Sequence, residues 1–431
     1  MEQLQKDSLS ILDMSRKHFF LTKDIIPRTH SRMNARAYPL AIWARFFPVI
    51  VVSGLLIVLI YLNRRGESIQ IRSDELLTPE GAKEEKQESP KLPVHDLNQY
   101  SVKTHLGYVS LQELNEKVLT HFQWYASLSE DLLQVFKMFG YEVSKPTLPV
   151  PTLRMVNEPS CETVFAEWLT ISQKPQPDEP PKQLPVDLTN DFLMNGYTAL
   201  SDWYFNDHKG GDAPRNWDRI AEFMKFSKTE LSALAYSFNK ESESVYHAMT
   251  GYPLDGLEGF VVGSMQPWVE VMALQHGAKH ILTVEYNPLK IPAEFEDRLS
   301  SILPVDFVKN WQDYAGKFDF AASFSSIEHS GLGRYGDPVD PIGDLREMLK
   351  IKCMLKKGGL LFLGIPYGTD AMQFNAHRIY GSIRIAMMMY GFEWLASYSG
   401  ESEQPFDLNS LVLHAKPPPQ LTQYTLVLKK L

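Results

Sequence analysis

The 431-residue sequence has only two cysteines and no excess of basic residues. Cys161 and Cys353 allow at most one disulfide and lack the Cys-x-x-Cys spacing of a metal site, so they identify neither a zinc site nor a redox compartment. A net charge of -9 offers no basic face to a phosphate backbone, which argues against nucleic acid as a partner. The sequence also has no Asn-x-Ser/Thr glycosylation pattern.

The N-terminal region lacks an early apolar run. Residues 1–45 form a basic tail with eight Lys or Arg against four acids, so a cleaved signal peptide is not expected. Residues 46–62 contain thirteen Leu, Ile, Val or Phe and no charge. At roughly -0.3 to -0.6 kcal/mol for each such residue, insertion into a bilayer is favoured. These residues predict one transmembrane helix, with a buried core helix as the alternative.

The predicted membrane helix is short. At about 1.5 Å per residue it spans roughly 25 Å, which suits the thin bilayer of the early secretory pathway. The segment before it is net basic and the segment after it is net acidic, which favours a cytosolic N-terminus. We therefore expect a single-pass protein of the endoplasmic reticulum or Golgi with a lumenal C-terminal domain.

Composition divides the rest of the chain into four segments. Residues 63–98 have too few apolar side chains to offset the entropy of ordering, which predicts a disordered stalk. Residues 99–144 predict a helical segment. Residues 145–189 predict a Pro-rich connector. Polarity becomes ordinary from residue 190, so the predicted catalytic domain covers 190–431.

The helical segment has clear predicted ends. Ser110-x-x-Glu113 has the pattern of a capping box, and Gly140 is a typical residue after a helix. Apolar residues three or four apart give the helix one apolar face. This face either forms a homodimer through residues 110–139 or packs on the catalytic domain.

The catalytic segment opens with an α/β pattern. Residues 259–262 form a short apolar strand, and the turn from Gly263 leads into a helix that Pro267 can begin. Free N–H groups at such a helix start bind a carboxylate or the ribose of a nucleotide-like cofactor. A second strand over 280–284 ends at Glu285, 22 residues after the glycine. An acid at about this spacing binds ribose hydroxyls.

The glycine pattern is incomplete, because Met265 and Pro267 stand where a Gly-x-Gly-x-Gly turn has its later glycines. A plain α/β turn that binds nothing is the alternative. The elements that follow favour a nucleotide-binding sheet. They are a strand over 318–323, a helix over 340–357, a Gly358-Gly359 turn, a strand over 360–365 and an antiparallel pair over 393–398 and 424–429.

This order and the turn Leu355-Lys-Lys-Gly-Gly359 resemble class I S-adenosylmethionine-dependent methyltransferases. The segments Val262–Trp268, Thr283–Asn287, Ser323–Pro338 and Asn375–Gly381 look like the family called domain of unknown function 268, known largely from nematodes. The resemblance implies an α/β, Rossmann-like sheet, mostly parallel with an antiparallel last strand, and S-adenosylmethionine as cofactor. The expected cofactor-binding residues are Gly263, Ser264, Gln266, Glu285 and Ser323.

The predicted reaction site is the loop after the fourth strand, where carboxyl ends of strands converge. His329 has an intrinsic pKa near 6.5, suited to a general base, and capping of the strand end is its alternative role. Glu328 is predicted to orient His329 or to bind the cofactor amine. Because neighbours on a strand point to opposite faces, one of the two is expected to be structural. Asp337, Asp340 and Asp344 favour helix capping or solvation over a metal site.

A dense polar group after the fifth strand predicts the acceptor-binding loop, with an exposed helix surface as the alternative. We expect a membrane-anchored O-methyltransferase that acts on a glycan or another secretory-pathway hydroxyl. A non-catalytic scaffold with the same fold is one alternative. An NAD-dependent oxidoreductase is another, since it fits the spacing of Glu285. The predicted acceptor-binding residues are Asp370, Asn375, His377, Arg378 and Tyr380.

Overall fold

The computed structural model describes residues 101–110, 132–145, 150–174, 177, 179–207, 214–407, 415 and 420–431. The predicted tail 1–45, membrane helix 46–62 and stalk 63–98 lie outside these residues. Across the described ranges, no helix is both long and apolar enough to cross a bilayer.

The strands pair into one large sheet and several small ones. In chain order they are β1 (Ser101–Thr104), β2 (Gly107–Ser110), β3 (Tyr141–Lys145), β4 (Thr152–Met155), β5 (Ala199–Trp203), β6 (Arg215–Asn216), β7 (Glu258–Val262), β8 (His280–Val284), β9 (Leu289–Lys290), β10 (Leu299–Ile302), β11 (Phe318–Phe324), β12 (Leu355–Tyr367), β13 (Ala371–Asn375), β14 (His377–Ile379), β15 (Phe392–Tyr398) and β16 (Thr422–Lys430).

The helices that we label lie on both faces of the large sheet or beside it. They are α1 (Cys161–Ser172), α2 (Thr189–Phe192), α3 (Ile220–Phe223), α4 (Lys228–Ser232), α5 (Asn239–Gly251), α6 (Trp268–Gln275), α7 (Pro304–Lys309), α8 (Gly343–Met354) and α9 (Ser382–Met388).

A seven-stranded sheet is the centre of the fold. Its strand order is β10-β8-β7-β11-β12-β16-β15. The pairs from β10 to β12 are parallel, whereas β16 is antiparallel to both of its neighbours. The predicted α/β class with a mixed sheet is therefore confirmed.

Both faces of the sheet are covered, which explains the apolar runs in its parallel strands. Phe260 packs into one apolar cluster with side chains of α1, α7, α8 and α9. Its neighbour Val261 packs into a second cluster with α3 to α6. Because successive strand residues point to opposite faces, the two clusters are the two covered sides of the sheet.

The predicted strands agree closely with the structure, and the predicted helix 340–357 is too long. Helix α8 ends at Met354, and β12 begins at the next residue. The Gly358-Gly359 turn lies inside β12, where the register with β11 shifts. Gly358 has φ +79°, a left-handed conformation that glycine adopts at low cost, so the strand can bulge there.

The segment 99–144 is not simply helical as predicted. Strands β1 and β2 form an antiparallel hairpin, and Ser110 is the last residue of that hairpin. Val102 and Thr104 are buried at alternate positions, the pattern of a strand with one covered face. Residues 132–138 are helical, while 111–131 lie outside the described part. The homodimer through 110–139 therefore stays a prediction.

The predicted Pro-rich connector, residues 145–189, contributes to the core. It contains β4 and α1, and Phe165 and Trp168 of α1 are buried. A disulfide between Cys161 and Cys353 joins α1 to α8. Residue 190 is therefore not a domain boundary, since the described residues between 101 and 189 belong to the same compact unit as those that follow.

Candidate active site at the carboxyl edge of the sheet

Three loops meet where the parallel strands end. The turn that starts at Gly263 follows β7, Glu285 follows β8, and the loop 325–330 follows β11. Because β8, β7 and β11 are adjacent and parallel, their carboxyl ends share one edge. This is where ligands bind in open α/β sheets.

The glycine turn is tied to the acid after β8. Gly263 has φ +74°, and a side chain there would overlap the hydroxyl of Ser326, so glycine is required. The Ser264 amide donates to Glu285 Oε2 at 2.8 Å. The acid and the turn are therefore neighbours, as the spacing in the sequence predicts.

Glu285 keeps part of its capacity to accept hydrogen bonds. Its side chain is 8% exposed, and Oε1 accepts the Asn287 amide at 3.1 Å. A carboxylate has about four lone-pair sites, and two backbone amides fill only part of them. The chemistry of this site still fits a pair of ribose hydroxyls.

The other predicted cofactor-binding residues make contacts within the fold. The Ser323 hydroxyl donates to the Val262 carbonyl at 3.2 Å. The carbonyl of Gln266 accepts the Ser264 hydroxyl at 3.0 Å. These contacts brace β7 and its turn, and cofactor binding by Ser323 and Gln266 stays a prediction.

A buried acid beneath the turn was missed from the sequence. Glu270 of α6 accepts the hydroxyls of Ser264 and Thr283, each at 2.9 Å. Complete burial raises the pKa of Glu270 to about 7. The one signal in the sequence is an acid within an otherwise apolar stretch of helix.

Glu328 and His329 lie in a single turn of 3₁₀ helix, 327–329, rather than on a strand. The expectation that they face opposite sides is therefore wrong, because the alternation of a strand does not apply. His329 Nε2 lies 3.9 Å from Glu328 Oε1. The structure brings the two predicted catalytic residues together.

His329 is held in one tautomer. Its Nδ1 lies 2.6 Å from the Ala376 carbonyl, and because a carbonyl only accepts, Nδ1 carries the proton. The lone pair is therefore on Nε2, the atom nearer to Glu328. Burial, with Arg334 nearby, lowers the pKa of His329 to about 3, well below the value near 6.5 expected from the sequence, so the imidazole is neutral at physiological pH and a weaker base than expected.

Glu328 is a buried acid with one unpaired oxygen. It is 1% exposed, and Oε1 accepts the Ser325 hydroxyl at 2.7 Å. Among the described residues, Oε2 has no hydrogen-bond partner, although the Gln423 side chain lies near enough to favour the charged form. Burial outweighs these contacts and raises the pKa of Glu328 to about 7.

The predicted acceptor residues separate into two groups, and none lies on an exposed helix, because β13 and β14 form a hairpin. Asp370 caps the start of α9 by accepting the amides of Gly381, Ile383 and Arg384. Arg378 donates to the Ser330 carbonyl at 2.6 Å. Tyr380 donates to Asp344 at 3.1 Å. These three side chains are buried and support the fold, and acceptor contact by them stays a prediction.

Asn375 and His377 lie on either side of Ala376, whose carbonyl contacts His329. The rings of His377 and His329 are 6.3 Å apart. The side chain of Asn375 accepts the Phe205 amide at 2.8 Å and donates to its carbonyl at 3.0 Å. Phe205 follows β5, so the hairpin connects the loop 325–330 to a segment that the sequence did not place there.

The three aspartates considered for a metal site have separate partners. Asp337 accepts three backbone amides of its own loop. Asp340 accepts Arg346 Nε at 3.0 Å, and Asp344 pairs with Arg384. In the described part of the chain, no group of three His, Cys, Asp or Glu is placed to hold a metal ion.

Two small cavities lie at the carboxyl edge and beside the β13–β14 hairpin. The two best-formed cavities measure about 20 and 10 Å³, each about the room of one water molecule. Neither is lined by Gly263, Glu285 or His329. The 20 Å³ cavity is lined by Tyr286 and Ser330, so it lies next to Glu285 and His329 at this edge.

The sheet and its carboxyl-edge loops define an α/β fold with a mixed seven-stranded sheet. Residues 256–431 match the family model described as "Caenorhabditis protein of unknown function, DUF268". This match confirms the family resemblance, over a shorter range than 190–431. A comparison with curated proteins found no match.

Solved structures with distant similarity include three transferases. One is the Burkholderia thailandensis 1,6-didemethyltoxoflavin-N1-methyltransferase with S-adenosylhomocysteine, at 14% identity and TM-score 0.31, covering 49% of this chain and 86% of that one. A candidate sarcosine dimethylglycine methyltransferase from Galdieria sulphuraria has 11% identity and TM-score 0.29, covering 47% and 84%. The Thermus thermophilus branched-chain polyamine synthase with 5'-methylthioadenosine has 13% identity and TM-score 0.26, covering 45% and 56%. At these scores the similarities carry no argument about activity.

Proposed function

We propose that this protein is an S-adenosylmethionine-dependent O-methyltransferase with its reaction centre at Glu328 and His329. The observation that carries the proposal is the fixed tautomer of His329, whose Nε2 lone pair lies beside Glu328 at the carboxyl edge. The order of the strands and the Leu355–Gly359 turn, which resemble class I methyltransferases in the sequence, suggest the class of reaction. Bound S-adenosylmethionine would supply an electrophilic methyl group on a sulfonium.

The roles of the residues follow from their contacts. Glu285 has lone pairs left for the ribose hydroxyls of the cofactor, and the Ser264 amide fixes its orientation. With the cofactor bound, His329 Nε2 would accept the proton of the acceptor hydroxyl while its oxygen takes the methyl group and the methyl–sulfur bond breaks. The carboxylate of Glu328, 3.9 Å away, then stabilises the imidazolium. The protein's main contribution is to position the acceptor in line with the methyl group.

Calorimetry tests cofactor binding. The full chain is titrated with S-adenosylmethionine, its demethylated product and NAD in separate runs. Because α1 belongs to the core and is joined to α8 by the disulfide, the full chain is the proper sample. We expect the first two ligands to bind and NAD not to bind. Binding of NAD alone would instead support an oxidoreductase.

A non-catalytic scaffold is the second candidate, and one observation favours it. Ser326 packs against Gly263 and the Ser264 amide is already bonded to Glu285, so the turn is satisfied without a ligand. If the protein is such a scaffold, calorimetry should detect no heat of binding for any of these three ligands at millimolar concentration.

We further propose a lumenal location with residues 46–62 as the membrane anchor. The Cys161–Cys353 disulfide supports this location, because such bonds persist in oxidising compartments. A glycan or another secretory hydroxyl is then the acceptor at hand. Protease added to sealed microsomes should leave residues 66–431 intact. Digestion of this region without detergent would contradict the lumenal location.

A further inference from the structure

An aromatic surface lies beside the proposed reaction centre and has no assigned role. We call it the Trp203 face and define it by Trp203, Phe205, Arg334, Tyr335 and His377. Trp203 is 49% exposed, a high value for the largest apolar side chain. Its ring lies 5.2 Å from that of Phe205 and 5.6 Å from that of His377.

The Trp203 face is held by contacts from three parts of the chain. The side-chain amide of Asn375 accepts a hydrogen bond from the Phe205 amide and donates one to the Phe205 carbonyl. The amide of Asp207 donates to the Arg334 carbonyl at 3.0 Å. Strand β5, which ends at Trp203, pairs in parallel with β13. The surface is thus built from the same elements that position His329.

The charge on this surface is already balanced. Arg334 donates to Asp207 at 2.7 Å, and its guanidinium lies 4.3 Å from the Phe205 ring and 4.9 Å from the Tyr335 ring. An arginine with an acid partner and aromatic rings beside it has little remaining attraction for an anion. The face therefore favours a neutral ligand.

The unused hydrogen-bonding capacity belongs to a neutral imidazole. Burial lowers the pKa of His377 to about 4, so it is uncharged at neutral pH. Its Nε2 is buried and has no hydrogen-bond partner among the described residues. A neutral imidazole nitrogen pairs well with a hydroxyl, which both donates and accepts.

We propose that the Trp203 face binds a neutral sugar ring of the methyl acceptor. The exposed indole offers a flat apolar surface to the C–H face of a pyranose, and an outward turn of the His377 ring would bring its buried Nε2 to one of the sugar hydroxyls. His377 also lies 6.3 Å from His329, ring to ring, so a sugar held here would lie beside the proposed base. This inference rests on the proposed function for its biological sense, but binding is measurable without any methyl transfer.

The test uses saturation-transfer NMR on the full chain without cofactor. The probes are methyl β-D-glucopyranoside, methyl α-D-mannopyranoside, sodium glucuronate and the acyclic polyol sorbitol. We expect transfer to at least one neutral pyranoside, strongest on its C–H protons. We expect weaker transfer to glucuronate and sorbitol, because one is charged and the other has no ring face.

Two variants connect binding to this surface. Trp203→Ala should weaken the binding of the pyranoside by about fivefold or more, since it removes the aromatic platform. Leu200→Ala is the matched control, because Leu200 is 46% exposed on the same strand and lies on its opposite face. It should bind like the wild type. Circular dichroism confirms that both variants are folded.

Three results would overturn the proposal. They are no transfer to either pyranoside, equal binding by Trp203→Ala and wild type, and stronger binding of glucuronate than of the neutral sugars. Pyranoside binding without cofactor binding in calorimetry would support the sugar site and contradict the methyltransferase proposal. Cofactor binding without sugar binding would support the methyltransferase proposal and contradict the sugar site.

Discussion

The predicted cofactor residues and the predicted acceptor residues lie on two sides of the carboxyl edge. The two sides differ in how many of their polar atoms form hydrogen bonds. On the cofactor side, Ser264, Glu270 and Glu285 form hydrogen bonds with one another or with the adjoining chain. On the acceptor side, Glu328 and His377 each retain a buried atom without a partner in the described structure. Unpaired buried polar groups are costly, so they persist where they are used. The unpaired atoms therefore lie on the side of the predicted base and the predicted acceptor residues.

His329 is the strongest test of this difference. Replacement by Ala removes the proposed base, so turnover should fall by about 100-fold or more while cofactor affinity stays nearly unchanged. Once an acceptor is known, kinetics measure the turnover, and calorimetry measures the cofactor affinity. A parallel loss of affinity and melting temperature would show that His329 acts through the fold.

Glu285 tests the cofactor side. Glu285→Ala removes charge-assisted hydrogen bonds of about 1.5 to 3 kcal/mol, so cofactor binding should weaken by at least about tenfold. Glu285→Gln is the conservative control, because it retains an oxygen that can accept the Ser264 amide. Unchanged affinity in the Ala variant would remove Glu285 from the cofactor site.

Stability as a function of pH separates the two catalytic side chains. The folded pKa of His329 is lowered to about 3, so the stability that neutral His329 contributes is lost as pH falls from about 6.5 to 3. The folded pKa of Glu328 is raised to about 7, so its contribution is lost as pH rises from about 4.5 to 7. The two slopes oppose each other between about pH 4.5 and 6.5.

Single variants should expose these slopes. Glu328→Gln should make the free energy of unfolding fall with decreasing pH by up to about 1.4 kcal/mol per unit more than in the wild type. His329→Gln should produce the opposite slope over the same range. Urea denaturation at several pH values measures both effects. Parallel profiles for the two variants would contradict the assigned burial of the pair.

The sequence predicted the part of the site that depends on local patterns. The apolar runs of β7, β8 and β11 were visible, and the spacing from Gly263 to Glu285 gave the correct neighbours. Glu328 and His329 were singled out because an acid and a histidine directly after a buried strand are a local signal, and the structure places the two side chains together.

Long-range packing was not predictable in the same way. Trp203 lies beside His377 because β5 pairs with β13, and no local pattern indicates a partner so distant in the chain. Residues 145–189 were predicted to be a connector because their high proline content outweighed the short apolar face of α1 in the composition. The 3₁₀ turn of Glu328 and His329 was missed for a similar reason, since the strand pattern before it gives no sign of where the strand stops.

The most direct test of the central claim is the identity of the methylated product. The full chain is incubated with S-adenosylmethionine labelled on its methyl group and with neutral oligosaccharides released from secreted glycoproteins. Mass spectrometry then locates the label. The proposed function predicts a methyl ether on a sugar oxygen, formed by the wild type and strongly reduced by His329→Ala. Absence of any methylated sugar, or equal labelling by the variant, would contradict it.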